Sequence, residues 1–247
     1  MIRGIYTSAS GLVAAQQRMD EVAGNIANVN TTGFKQILAT QGDVGSDVGL
    51  SFGDGGMAAT LGRLSYGTVA VGATVDRVQG PLIDSGIPTD LAIAGDGLFA
   101  VGTPGGVAYT RAGDFVVDAG GTLVTQQGYP VLDTTGQKIV LPGGASSLAV
   151  ATDGTISGTG QRLAFISFPA TGLTVAGENL YTISGAVKPV AAGDGTIQQG
   201  LLEGSNVDLS GSMTDLIALQ RLFQMSARSL SLQDQTLEET NNVGKLK

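Results

Sequence analysis

Apolar residues recur every seven positions at the start of the chain, at Ile5, Leu12, Met19 and Ile26. Ala15 and Val22 fall three places after Leu12 and Met19, the spacing of a coiled-coil seam. Gln16, Gln17, Asp20 and Asn25 occupy the opposite face. The pattern predicts a helix that begins at Ile2 and breaks at Asn28-Val29-Asn30-Thr31-Thr32-Gly33. Asn and Gly tolerate the left-handed backbone that ends helices. Gly11 and Gly24 lie inside the pattern, and each costs ~1 kcal/mol against alanine. Such a helix is marginal by itself. A second seven-residue repeat closes the chain, at Leu209, Leu216, Phe223, Leu230 and Leu237. Met213, Gln220, Ala227 and Asp234, four places after the first four, make its stripe only partly apolar. Ser212 with Asp215 has the form of a capping box, and Asp208 is a second candidate cap.

Between the two helices the period changes to alternation. Leu91-Ala92-Ile93-Ala94, Leu98-Phe99-Ala100-Val101, Val107-Ala108-Tyr109-Thr110 and Phe115-Val116-Val117 are short apolar or alternating runs. Lys138-Ile139-Val140-Leu141, Leu148-Ala149-Val150, Leu163-Ala164-Phe165-Ile166 and Leu180-Tyr181-Thr182-Ile183 continue the series. With turns at Asp96-Gly97, Asp153-Gly154 and Asp194-Gly195, these read as strands of an antiparallel β-domain. Gly53-Asp54-Gly55-Gly56 and its Gly- and Ser-rich surroundings read as a linker. The expected organisation is a helix over 1–35, a linker or extended loop over 36–69, a β-rich domain over 70–205 and a helix over 206–247. The fold class is then α+β, an antiparallel all-β central domain bracketed by coiled-coil-like helices. Matching seams at both ends suggest that the helices pair with each other, with copies of themselves, or both.

Composition narrows the chemistry. The 247 residues contain no histidine, cysteine or tryptophan. His- or Cys-based zinc sites, iron–sulfur clusters and Ser-His-Asp or Cys-His catalysis are therefore excluded within the chain. A formal charge of −8 with 13 unclustered basic residues argues against nucleic acid, whose binding is driven by Lys and Arg. Charged residues make up 14%, against roughly 25% in an average domain, and glycine fills 39 positions, mostly as turn chemistry. No apolar run is long enough to cross a bilayer. The apolar stretch after Arg3 is too broken by Ser8, Ser10 and Gln16-Gln17-Arg18 for a Sec signal, so any export uses another route. Gly95-Asp96-Gly97-Leu98-Phe99-Ala100 fits G-x-G-x-x-A but lacks a following helix, so it reads as a hairpin turn, not a dinucleotide site. Asp90, Asp96, Asp114, Asp118 and Asp133 mostly adjoin glycine, as turn residues do, and form no calcium loop. No catalytic residue, cofactor or metal is expected.

Longer stretches carry a resemblance. Ser8-Ala9-Ser10-Gly11-Leu12 and Gly24-Asn25-Ile26-Ala27-Asn28-Val29-Asn30-Thr31-Thr32-Gly33-Phe34-Lys35 resemble the N-terminal signature of bacterial flagellar rod and hook axial proteins, with Gly24 where Asn is usual. Asp90–Phe99, Tyr109–Phe115, Gly177–Tyr181 and Glu203-Gly204-Ser205-Asn206-Val207-Asp208 are similar to that family's motifs too. The resemblance singles out Gly11, Asn25, Asn28, Gly33, Phe34, Ser205, Asn206 and Val207. It implies a structural subunit of the flagellar basal-body rod with no enzymatic activity. Arg221-Leu222-Phe223-Gln224-Met225 is more like the proximal rod pattern, with a distal rod subunit as the alternative. The resemblance further implies self-assembly with other rod subunits to transmit torque and line a channel. It implies Sec-independent export by the flagellar type III apparatus, and location in the periplasm-spanning rod. Ile5, Leu12, Met19 and Ile26 are expected to face Leu216, Phe223, Leu230 and Leu237 in an inner tube, with the β-domain outside. A secreted β-domain adhesin and an aspartate enzyme are the rival classes.

Each helix offers a narrow apolar stripe, and most helical stability comes from packing. Ordering a residue costs ~1–2 kcal/mol of backbone entropy. Free subunits are therefore expected to have flexible termini that become helical on assembly. Amide exchange on verified monomers checks this; strong protection across Leu12–Ile26 and Leu216–Leu237 would end the expectation.

Overall fold

The computed structural model describes residues 2–52, 58–65, 67–145, 148–167, 172–183 and 195–244. The chain divides into two compact units, Met1–Ala27 with Ile37–Thr74 and Asp208–Lys247, and Asn28–Gln36 with Val75–Val207.

The first unit holds two long helices in contact, α1 (Ile2–Ala27) and α2 (Leu209–Gly244). The Asp208 carboxylate accepts the Ser210 N–H at 3.0 Å, and its carbonyl accepts that of Ser212 at 2.9 Å. Asp208 is the cap, and Ser212 is a buried residue inside the helix rather than its start. The same unit carries four strands. β1 (Ile37–Asp43) pairs with β4 (Thr68–Val75), and β2 (Ser46–Phe52) runs antiparallel to β3 (Ala58–Ser65). The stretch read from composition as a linker over 36–69 thus contains strands. Gly45 and Gly67 take positive φ, the β2–β3 register shifts between Gly49 and Leu50, and Gly53-Asp54-Gly55-Gly56 lies outside the described residues. Thr68-Val69-Ala70-Val71 alternates as strands do, a signal that the glycine content obscured.

The second unit is built on a five-stranded sheet. In order across it lie β11 (Phe165–Ile166), β7 (Leu98–Thr103), β8 (Gly106–Thr110), β13 (Leu180–Ile183) and β12 (Leu173–Gly177), all antiparallel. Three antiparallel pairs complete it: β6 (Leu91–Gly95) with β14 (Gly195–Gln199), β5 (Leu82–Asp84) with β15 (Leu201–Glu203), and β9 (Val116–Val117) with β10 (Leu123–Val124). Successive side chains of a strand point to opposite faces, and β7 is buried on both. Phe99 and Val101 enter a core with Leu91, Ile93, Leu123 and Ile197, while Leu98 and Ala100 join Tyr109, Ile166 and Tyr181. Phe99 meets Phe115 edge to face, with ring centroids 5.2 Å apart.

Two expectations need correction. The Asp96-Gly97 turn joins β6 to β7, but these strands lie in different sheets, so it closes no hairpin. Lys138–Leu141 and Leu148–Val150 make isolated bridges, Leu132 to Lys138, Thr122 to Val140 and Val150 to Ile156, rather than strands. Pro142-Gly143-Gly144 cuts the first run short. The turn at Asp194-Gly195 begins outside the described residues.

Leu123 is fully enclosed in the larger core. Leu123→Ala is expected to destabilise the protein by ~2–5 kcal/mol. Urea unfolding checks this, with a lower midpoint and an unchanged slope.

Candidate functional site

Among the described residues of the second unit the organising feature is a junction. Residues 28–36 follow α1 and residues 203–207 lead from β15 toward α2, and inside this unit the two stretches bond to each other. The Gly33 N–H donates to the Glu203 carbonyl at 2.7 Å, and the Gln36 N–H to the Asn206 Oδ1 at 2.7 Å. Asn206 also donates from its amide to the Val78 carbonyl at 3.0 Å. The Ser205 hydroxyl accepts the N–H of Val207, which is buried, as is Phe34. Gly33 has φ +65°, and a Cβ there would strike the Arg111 and Ala112 backbone. Only glycine suits both constraints.

Beneath these stretches lies a buried ion cluster. Glu203 Oε1 accepts from Lys35 Nζ at 2.7 Å and from the Gly80 N–H at 3.0 Å, and Oε2 accepts from Arg111 Nε at 2.6 Å. The three side chains are only 1–2% exposed. Two cations against one carboxylate leave an excess positive charge, which backbone carbonyls absorb. Arg111 donates onward to Ile93 and Gly95, each at 2.7 Å, and to Gly97, and Lys35 donates to Val78 at 2.7 Å. Burial lowers the Lys35 pKa, and the bond to Glu203 pulls it back up. Tyr181, 2% exposed, meets the Lys35 backbone, and burial pushes its hydroxyl up to about 12.

Side-chain amides secure the approaches. In the first unit the buried Asn25 donates to the Ile37 carbonyl at 2.8 Å and accepts the Ile37 N–H at 2.9 Å, so one amide serves β1 as a strand partner would. Thr31 donates to Asn28 Oδ1 at 3.1 Å. Asn179 donates to the Thr32 carbonyl at 2.8 Å. Glu178 and Asn179 both have positive φ, 51° and 59°, as a two-residue hairpin between β12 and β13 requires.

The helix residues of the two seams lie in the first unit. Ile5, Leu12, Met19 and Ile26 are half-buried on α1, and Leu216, Phe223, Leu230 and Leu237 are half-buried on α2. Ile5 and Leu230 share a cleft of about 440 Å³ with Ala227, Ser231 and Asp234. On α2 the companion row differs from the expected one. Met213, Gln220 and Asp234 are exposed, while Ser212 and Leu219, three places after Leu209 and Leu216, are buried, and Ser226 and Gln233 continue that row. Apolarity alone points four places on, because Met213 and Ala227 are apolar and Ser212 and Ser226 are not. A Cβ at Gly11 or Gly24 would meet nothing within 4 Å, so neither glycine is required by packing inside the chain.

Lys35, Arg111 and Glu203 lie within stretches that carry the family resemblance, which singles out none of the three. The available signal was a charge closing an apolar strand, as in Val107-Ala108-Tyr109-Thr110-Arg111 and Leu201-Leu202-Glu203. Among the described residues no group of three acidic side chains is placed to hold a metal ion, and no helix is long and apolar enough to cross a membrane.

A β unit locked by internal ion pairs, and a separate unit of two paired terminal helices, define a structural protein whose polar groups serve its own backbone. Comparison with known proteins gives the family. Residues 5–35 match the flagella basal body rod protein family, 92–158 the flagellar hook protein FlgE/F/G D1 domain and 198–243 the flagellar basal body rod FlgEFG protein C-terminal region. The flagellar basal-body rod protein FlgG of Bacillus subtilis is 36% identical, over 98% of this chain and 99% of its own length. FlgG of Borreliella burgdorferi is 32% identical over 98% and 99%, and FlgF of Caulobacter vibrioides 35% over 93% of both. The chain belongs to the flagellar basal-body rod protein family, a family of structural proteins and not of enzymes.

The junction titrates in the alkaline range. Between pH ~10, where a free tyrosine ionises, and the raised value of Tyr181, the unfolded chain has lost the proton and the folded chain holds it. Stability therefore falls as pH rises through that window, by up to about 2–3 kcal/mol. Lys35 runs the opposite way up to ~10.5, because its lowered pKa makes the folded chain release its proton first. Tyr181→Phe is expected to flatten the decline, read from urea midpoints at successive pH values.

Proposed function

We propose that this chain is a structural subunit of the proximal flagellar rod, whose terminal helices pair with those of neighbouring copies and other rod subunits. The observation that carries the reading is the helix unit. Its seam residues are only half-buried, and large apolar side chains on the same helices stay exposed: Tyr6 and Val13 on α1, Ile217, Leu222, Met225 and Leu232 on α2. Neighbouring subunits would cover these faces, forming an inner tube that lines the export channel and transmits torque. The Arg221-Leu222-Phe223-Gln224-Met225 stretch favours the proximal over the distal rod. Delivery is by the flagellum's own type III export apparatus, without a Sec signal, to the basal body.

The test is incorporation. Ile217→Asp and Met225→Lys alter exposed positions and are expected to shift monomer stability by no more than ~0.5 kcal/mol. They are expected to abolish rod assembly and swimming in cells that depend on this chain. Normal swimming with the variants present in isolated basal bodies would overturn the reading. Density for the wild-type chain in basal bodies arrested before the distal rod decides proximal against distal.

A further inference from the structure

We infer that residues 195–206 act as a folding gate, and that the second unit stays open until this last segment has been delivered. The segment bonds to elements along nearly the whole unit. β14 is the partner of β6, and β15 is the partner of β5. The Ile197 side chain fills the larger core, and its N–H donates to the Thr152 carbonyl at 3.0 Å. Gln199 donates to the Pro88 and Leu148 carbonyls, both at 2.7 Å, and accepts the Val150 N–H at 3.1 Å. The Gly200 N–H donates to the Asp90 carbonyl at 2.8 Å. Asn206 closes the connector at Gln36.

The decisive contribution is charge. Lys35 and Arg111 come early in the chain, and Glu203, 168 and 92 residues later, is the acid paired with both. Before Glu203 arrives, closing the unit would bury two cations with no hydrogen-bonded counter-charge, Asp76 acting on Lys35 only as a weaker, more distant charge, and such burial is among the costliest arrangements a protein interior can hold. Local structure cannot compensate. The β7–β8 hairpin and its neighbours are short, and a lone hairpin is marginal in water. A chain delivered N-terminus first, from a ribosome or through a narrow channel, thus keeps the earlier strands of the second unit open until the last strand pair follows. The gate arises from this chain's own contacts and stands whether or not the rod reading does.

Pulse-labelled amide exchange during refolding of the full chain tests it. Phe99, Val101 and Ala108 in β7 and β8 are expected to gain protection with the same time constant as Ile197 and Leu202. Protection of β7 and β8 at least tenfold earlier would overturn the gate. In full-length Glu203→Gln, protection of both sets is expected to slow together by at least tenfold; slowing confined to β14 and β15 would overturn it. Should that variant fail to fold, the triple variant Lys35→Met, Arg111→Leu, Glu203→Leu removes the charges, and its β7 and β8 are expected to become protected ahead of β14 and β15. Protection of all four strands together in that variant would show that charge is not what holds the gate.

Discussion

A single carboxylate holds the second unit in register. Glu203 accepts three hydrogen bonds in a site closed to water, and each donor belongs to a different stretch of chain: Lys35, Gly80 and Arg111. Removing Glu203 from such a cluster costs ~3–5 kcal/mol, because both cations then stay buried and unpaired. Against the 5–15 kcal/mol that typically separates a folded domain from its unfolded ensemble, that is a large share. The cluster also has direction. The planar fork of Arg111 reaches the carbonyls of Ile93, Gly95 and Gly97 together, so it fixes the path of the chain from β6 into β7. A trio of apolar residues would bury as well but would leave that path free to shift.

Some of the glycines at close approach sit around this cluster, and others lie in the first unit, Gly42 against Val71 and Gly67 against Ser10. At Gly33 the left-handed backbone and the nearness of Arg111 both exclude a side chain, and a Cβ at Gly113 would overlap the Leu91 carbonyl that β6 presents. At Gly11, Gly72 and Gly128 a Cβ would meet nothing within 4 Å. The high glycine content therefore has separate causes: close approach at a few junction positions, turn geometry at others such as Gly128 with φ +87°. In the helix, Gly11 serves neither purpose within the chain.

These distinctions explain what the sequence made legible. The seven-residue repeats at Ile5, Leu12, Met19 and Ile26 and at Leu216, Phe223, Leu230 and Leu237 are local, and the structure half-buries all eight residues. Their companions on α2 were not legible, because Ser212 and Gln233 are polar and only the register of packing marks them. Strands such as Leu98–Thr103 followed from an uninterrupted apolar run between turn signals, whereas β1 to β4 were masked by glycine and serine. The ion cluster was least legible of all. Lys35 and Glu203 lie 168 residues apart, and a pattern read through a short window contains no term for a partner at that separation.

Gln233 shows how the helix unit differs in principle from the β unit. Its side-chain oxygen is buried without a hydrogen-bond partner, and Gly4 lies so close that an added Cβ would come within 3.0 Å of it. A polar residue inside a helix seam opposes burial, yet it also disfavours every register in which it would meet a large apolar neighbour. Gly4 is the residue that makes room in this one. The pairing of α1 with α2 is thus specified more sharply than it is stabilised, in contrast with a β unit whose buried charges are hydrogen-bonded internally. A helix pair of that kind holds its alignment while leaving Tyr6, Val13, Leu222 and Met225 exposed, and those side chains gain most from burial against further chains. In the assembly proposed above, specification within the subunit and stabilisation between subunits would fall to different residues of the same two helices, so that neighbouring chains would not compete for the seam that aligns them.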